Sequence, residues 1–92
     1  MLRIITAQRG KTCRMELHGT IAGEGLDVLE RHWRGVLDRV PAAAITVGLT
    51  NVAFIDVAGE ALLRRMAEHG VEFDGAGLMN RYVMQKIAGG LS

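Results

Sequence analysis

Cysteine is almost missing from this 92-residue chain: Cys13 stands alone, so no internal disulfide can form, and no Cys/His cluster has metal-ligand spacing. A reducing cytoplasm is the expected home, with no metal. Aromatic residues number only one Trp, one Tyr and two Phe, and eleven basic residues offset ten acidic ones to leave a net charge of +1. The basic runs and interleaved aromatics of a nucleic-acid surface are lacking, so nucleic acid is not an expected partner. No stretch approaches the ~18 uninterrupted apolar residues of a membrane span, and the start lacks the charged-then-apolar pattern of a signal peptide. Neither membrane insertion nor export is expected. Gly19, Gly23 and Gly25 lack the spacing and the Lys-Ser/Thr of a phosphate cradle. His18, His32 and His69 are scattered, with no Ser or Cys placed for nucleophilic attack. No catalytic residue and no cofactor is expected.

What is present is a chain with 49% hydrophobic residues, enough for one modest core and too short for two, which reads as a single domain over 1–92. Twelve glycines punctuate it into short elements. Leu2–Ala7 and Thr12–Leu17 flank a polar, glycine-bearing turn at Gln8–Lys11 and predict an antiparallel hairpin, with Cys13, Met15 and Leu17 on its inward face. From Leu26 to Val40, Leu26, Leu29, Trp33, Val36, Leu37 and Val40 form one helical stripe, with Trp33 as core and with Asp27/Arg31 and Glu30/Arg34 as i,i+4 pairs. Pro41 ends this helix. Ala43–Leu49 lacks strict alternation, which predicts a central strand covered on both faces. A second helix is expected over Val57–His69, with Ala58, Ala61, Leu62, Leu63 and Met66 inward and Glu60, Arg64 and Glu68 outward. Gly70 stops it, Val71–Phe73 is a short strand, and Met79, Tyr82, Val83 and Ile87 form the stripe of a third helix. The sum is an α/β fold, a mixed sheet of about four strands with three helices and right-handed crossovers.

The order of these elements, together with Val52-Ala53-Phe54-Ile55-Asp56-x-x-Gly59 and Gly70 before the next strand, resembles the STAS domain, the fold of bacterial anti-sigma-factor antagonists. In that family an Asp-Ser-Ser-Gly turn carries a regulatory phosphoserine at the start of the second helix. Here Asp56 and Gly59 remain while Val57 and Ala58 stand at the hydroxyl positions, so no phosphorylation is expected at this turn. Glu60 replaces a usually apolar residue, Gly48 holds a place often given to Asp or Asn, and Ala22 falls where an Asp is frequent. The chain also stops where family members continue into another strand and helix.

The resemblance implies a non-catalytic protein-interaction module acting in signal transduction and regulation of transcription. The partner-binding residues are expected at Asp56, Val57, Ala58, Gly59, Glu60 and Arg64. Asp56 is also expected to cap the second helix. The implied partners are a kinase-fold anti-sigma factor or the ATPase of a lipid-transport system. Burial of Val57 at such a contact would contribute roughly 1.5–3 kcal/mol. Arg31, Arg34, Arg39, Arg64 and Arg65, balanced by Asp27, Glu30, Asp38, Glu60 and Glu68, would form one charged docking surface if the two helices are neighbours. Two other classes stay open: a small-ligand or nucleotide-binding domain that uses the amides opening the second helix, and a homo-oligomer associating through an exposed sheet edge.

Overall fold

A computed structural model describes residues 1–75 as β1 (Leu2–Arg9), β2 (Thr12–Ile21), α1 (Gly25–Leu37), a 3-10 turn (Ala42–Ala44), β3 (Ile45–Ile55), α2 (Val57–Glu68) and β4 (Glu72–Asp74). The strands lie in the order β1-β2-β3-β4, with β1 antiparallel to β2 and the other two pairs parallel. The mixed four-stranded sheet and its N-terminal hairpin are thus present. Two of the three expected helices are α1 and α2; the third, with Met79, Tyr82, Val83 and Ile87, lies outside the described residues.

The hairpin closes on Gly10-Lys11, because Arg9 already pairs with Thr12. Gly10 takes φ +58° at the first of the two turn positions, where glycine suits the twist of a two-residue hairpin. Both helices lie against one sheet face, where Met15, Leu17, Ile21, Ile45, Val47 and Leu49 meet Leu29, Trp33, Val36, Leu62, Leu63 and Met66 in one buried cluster. Cys13 belongs to that cluster as a buried free thiol. The expected burial of β3 on both faces is not what the described residues give. Thr46 is half-buried on the opposite face, and Gly48 is covered there by the Glu16 carboxylate rather than by a helix.

Three element boundaries differ from expectation, each for a local reason. Helix α1 stops at Leu37 instead of Val40, because Pro41 disfavours helical backbone at the residue before it. Val40 still packs into the core, its amide donating to the Val36 carbonyl from the turn. Ala42–Ala44 is a 3-10 turn rather than the start of a strand. Strand β3 runs on through Ile55, since its second half pairs with His18–Ile21 across two register shifts. Phe54 and Ile55, beyond the expected end of the strand at Leu49, are therefore strand residues. The shift at Gly19 is sterically fixed: this residue has φ +99°, and a side chain on it would collide with the Met1 carbonyl.

The sheet face opposite α1 and α2 holds an ion-pair network. Arg14 donates through both terminal nitrogens to Asp74, at 2.8 and 2.9 Å, and through Nε to Glu16 at 2.6 Å. Gly48 lies between Glu16 and Asp74 in the sheet register, and its missing side chain leaves room for the Glu16 carboxylate, which accepts from Arg14 as Arg14 reaches across β3 to β4. Arg14 holds the Asp74 carboxyl below its ordinary value of 3.8. Between the helices, burial raises the Glu30 carboxyl, but the Trp33 N–H together with Arg34 and Arg65 outweighs burial and holds it below 4.5. Each carboxylate binds a proton less readily folded than unfolded. The stability each contributes is therefore complete above these ordinary values and lost as pH falls through the lower folded ones. Melting temperature followed from neutral pH into acid is expected to fall below pH 4.5, and Glu30→Gln/Asp74→Asn to start lower but flatten that fall.

Candidate functional site

The turn between β3 and α2 is built on Asp56. Its backbone is extended while its carbonyl already accepts the first helical bond, from the Glu60 amide at 2.8 Å. Its Oδ1 accepts from the Gly59 amide at 2.6 Å, which satisfies one of the donors that every helix start leaves over. The Asp56 amide in turn donates to the Ile21 carbonyl, which ties the turn to the end of β2. Asp56 is the helix cap that the sequence predicts.

At the other end of α2, the Gly70 amide donates to the Ala67 carbonyl and the Val71 amide to that of Met66. With Gly70 at φ +110°, this is the paired-bond stop that glycine permits. The helix is thus pinned at both ends.

The six predicted partner-binding residues divide sharply. Val57 is 84% exposed and Ala58 is also exposed, so both are available to a partner. The expectation that Ala58 and Ala61 face inward is overturned: the buried stripe of α2 is Gly59, Leu62, Leu63 and Met66, and both alanines lie outside it. Gly59 is buried against the Ile21 carbonyl and side chain, so it cannot touch a partner and acts by letting the helix approach β2. Asp56 and Glu60 are half-buried. Arg64, expected on the exposed side, is half-buried too, with its Nε shielded from solvent and lacking a hydrogen-bond partner. Of the outward set only Glu68 is exposed, joined by Arg65.

Sequence reasoning missed Phe54 as a surface residue. It is 51% exposed immediately before the turn, because Ile55 takes the inward position and alternation turns Phe54 away. With Val57 and the exposed Ala53, Ala58 and Ala61, it makes the start of α2 an apolar projection. Simple alternation would not have revealed it, because a register shift between Val52 and Phe54 leaves both Ala53 and Phe54 exposed.

The helices are neighbours, and their charged seam is organised by Glu30. This carboxylate accepts from Arg34 at 3.2 Å and from the Trp33 ring N–H at 2.7 Å, and pairs with Arg65 of α2 at 3.4 Å. Trp33 is buried, with the His69 ring edge-on at 5.3 Å. Arg65 thus ties α2 to α1, while Arg34 pairs within α1. Arg31 reaches the Asp27 carbonyl instead of its carboxylate, and Arg39 donates to Gln8, so the five arginines do not form one free docking surface. Among the described residues no three His, Cys, Asp or Glu side chains are grouped to hold a metal, and no helix is long and apolar enough to cross a membrane.

Fold and turn together define a mixed α/β protein with both described helices on one sheet face. No family model and no curated protein matches the chain. Among solved structures it is similar to the one described as "Crystal Structure Analysis of Mglu", with a TM-score of 0.53 and 20% identity over 79% of this chain. The match covers 19% of that protein, so the chain spans about a fifth of its length. At that identity the likeness is one of fold.

Proposed function

We propose that the chain is a STAS-like, non-catalytic protein-interaction module that docks through the apolar projection at the start of α2 and is not switched by phosphorylation at that turn. The observation that carries this reading is Val57: a β-branched aliphatic side chain 84% exposed on a helix start fixed by its Asp56 cap, next to half-exposed Phe54. Rigid apolar groups lose little conformational freedom when covered, and burying Val57 would contribute roughly 1.5–3 kcal/mol. A hydroxyl at position 57 could accept a phosphate that opposes such burial; valine leaves the surface permanently in its apolar state. The partner classes implied by the STAS resemblance are a kinase-fold regulator and a transport ATPase.

The nucleotide reading is less favoured, because the Asp56 carboxylate already occupies the positive end of α2 and takes the Gly59 amide, leaving a negative charge where an anion would sit.

Affinity capture from the host lysate with the native chain and with Val57→Asp tests the proposal. The native chain is expected to retain a kinase-fold regulator or a transport ATPase and the variant to lose it, with little change in melting temperature because Val57 is 84% exposed. Equal recovery by both baits would sink it. Val57 is the cleaner site for this test than Arg64, whose half-buried side chain couples charge reversal to folding.

A further inference from the structure

On the reading that Val57 docks a partner protein, we propose that the element it docks is a basic amphipathic helix, with apolar side chains over Val57 and Lys or Arg residues against carboxylates at the two helix starts. Strands β2 and β3 are parallel, so the helices that follow them both begin at one end of the sheet. Ile21 pairs with Ile55 there, and the Asp56 amide donates to the Ile21 carbonyl at 3.2 Å, which brings the chain leaving β2 alongside the chain entering α2. Residues 20–30 and 50–63, which build this end, carry five carboxylates and no Lys or Arg, in a chain of net charge +1. Charge is therefore segregated. Glu30 is occupied by Arg34 and Arg65 along the helix seam. Glu24, Asp27 and Asp56 alone put three negative charges at the two helix starts.

A helix start favours carboxylates, but each offers only about half a positive charge. Two starts offset about one of the three negative charges and leave roughly two. Side chains cancel neither Glu24 nor Asp27: both are exposed, and neither makes an ion pair among the described residues. The next cations stand one turn further along. Arg31 turns its Nε to the Asp27 carbonyl, and the half-buried Arg64 keeps its Nε shielded from solvent. The helix dipoles account for the acids by themselves, but not for Val57 and Phe54 standing among them 84% and 51% exposed. An apolar surface bordered by uncompensated negative charge is complementary to an apolar stripe flanked by cations, the pattern of a basic amphipathic helix. Lys and Arg suit the place twice over, because their methylene stems extend the apolar contact while their heads reach the carboxylates. The same charge repels the phosphates of anionic lipid and nucleic acid.

The probe is a labelled amphipathic peptide of Leu and Lys, about four helical turns long, titrated by fluorescence anisotropy with the full chain; a peptide of Leu and Glu in the same pattern is its counterpart. The Leu/Lys peptide is expected to bind and the Leu/Glu peptide not to. Val57→Asn, which keeps the charge, and Glu24→Lys/Asp27→Lys, which keeps the apolar surface, are each expected to weaken binding by at least about tenfold. Raising salt from about 0.01 M to about 1 M, which shortens the screening length from about 30 to about 3 Å, is expected to weaken it likewise. If reversal at Asp27 disrupts α1, Glu24→Lys decides alone, since Glu24 is exposed and precedes the helix. Equal binding of the two peptides, binding that survives either the Val57 or the charge-reversal variant, or binding of neither peptide overturns the proposal. Equal binding that is lost on Val57→Asn leaves the docking role of Val57 standing, whereas failure of that role shows in the affinity capture with Val57→Asp.

Discussion

Gly59→Ala is expected to lower stability by about 1–3 kcal/mol, the usual range for overfilling a packed site. An ordinary helix interior would give the opposite sign, since alanine outranks glycine there by roughly 1 kcal/mol. The reversal follows from how closely α2 approaches β2. A β-carbon on Gly59 would collide with the Ile21 carbonyl oxygen and crowd both the Ile21 side chain, at 3.0 Å, and Asp56 Oδ1, at 3.1 Å. The first of these is main chain inside a paired strand and cannot swing away. The helix start must therefore lift from the sheet, and the Asp56 cap and the Asp56–Ile21 bond are strained with it. For a chain of this size a change of 1 kcal/mol moves the melting temperature by roughly 4–8 °C. A thermal melt followed by circular dichroism is the check, and a variant melting at or above the parent would contradict the packing described. Gly48→Ala is the informative contrast: the atoms that a β-carbon would meet there belong to the flexible end of Glu16, which can rotate aside at small cost.

Trp33→Ala is expected to have the largest effect of any single change described, about 3–5 kcal/mol. Trp33 is 2% exposed and packs in the shared core, so its removal leaves a void between α1, α2 and the sheet. It also strips Glu30 of its ring N–H donor and His69 of its aromatic neighbour. Against the 5–15 kcal/mol typical of whole domains, such a loss removes a large fraction of the stability. Trp33→Phe separates the two contributions, since it retains most of the packing and deletes the hydrogen bond. Urea unfolding of the three chains should rank native, then Phe, then Ala, and near-equality of native and Ala variants would contradict a core role.

The features legible in the sequence share one property, that their cause lies within a few residues. The hairpin turn, the α1 stripe with Trp33 inward, the Asp56 cap and the Gly70 stop are each determined by side chains and backbone freedoms within one or two turns of chain. The unread features depend on which strands become neighbours. Arg14 and Asp74 are 60 residues apart, and their pairing across Gly48 exists only once β2, β3 and β4 are in register. The full length of β3 was hidden for the same reason: its second half is a strand because β2 continues to Ile21 beside it, through two register shifts that spoil simple alternation. For the site, the residue types were readable and their exposure was not. A helix wheel placed Ala58 inward and Arg64 outward, but the sheet sets the rotation of α2 through the glycine at 59, and that rotation turns Ala58 outward and draws Arg64 in.

Trp33 is the chain's single tryptophan, and it sits where α1, α2 and the ring of His69 converge. Its emission is consequently a built-in optical gauge of one seam: blue-shifted while the helices stay closed, and red-shifted once water enters between them. Because Val57 lies at the opposite end of α2 from His69, a partner covering the docking end leaves this signal undisturbed unless α2 itself moves. Fluorescence titration with a captured partner thus distinguishes rigid docking from binding that levers the helix off its neighbour, without adding a label to the protein.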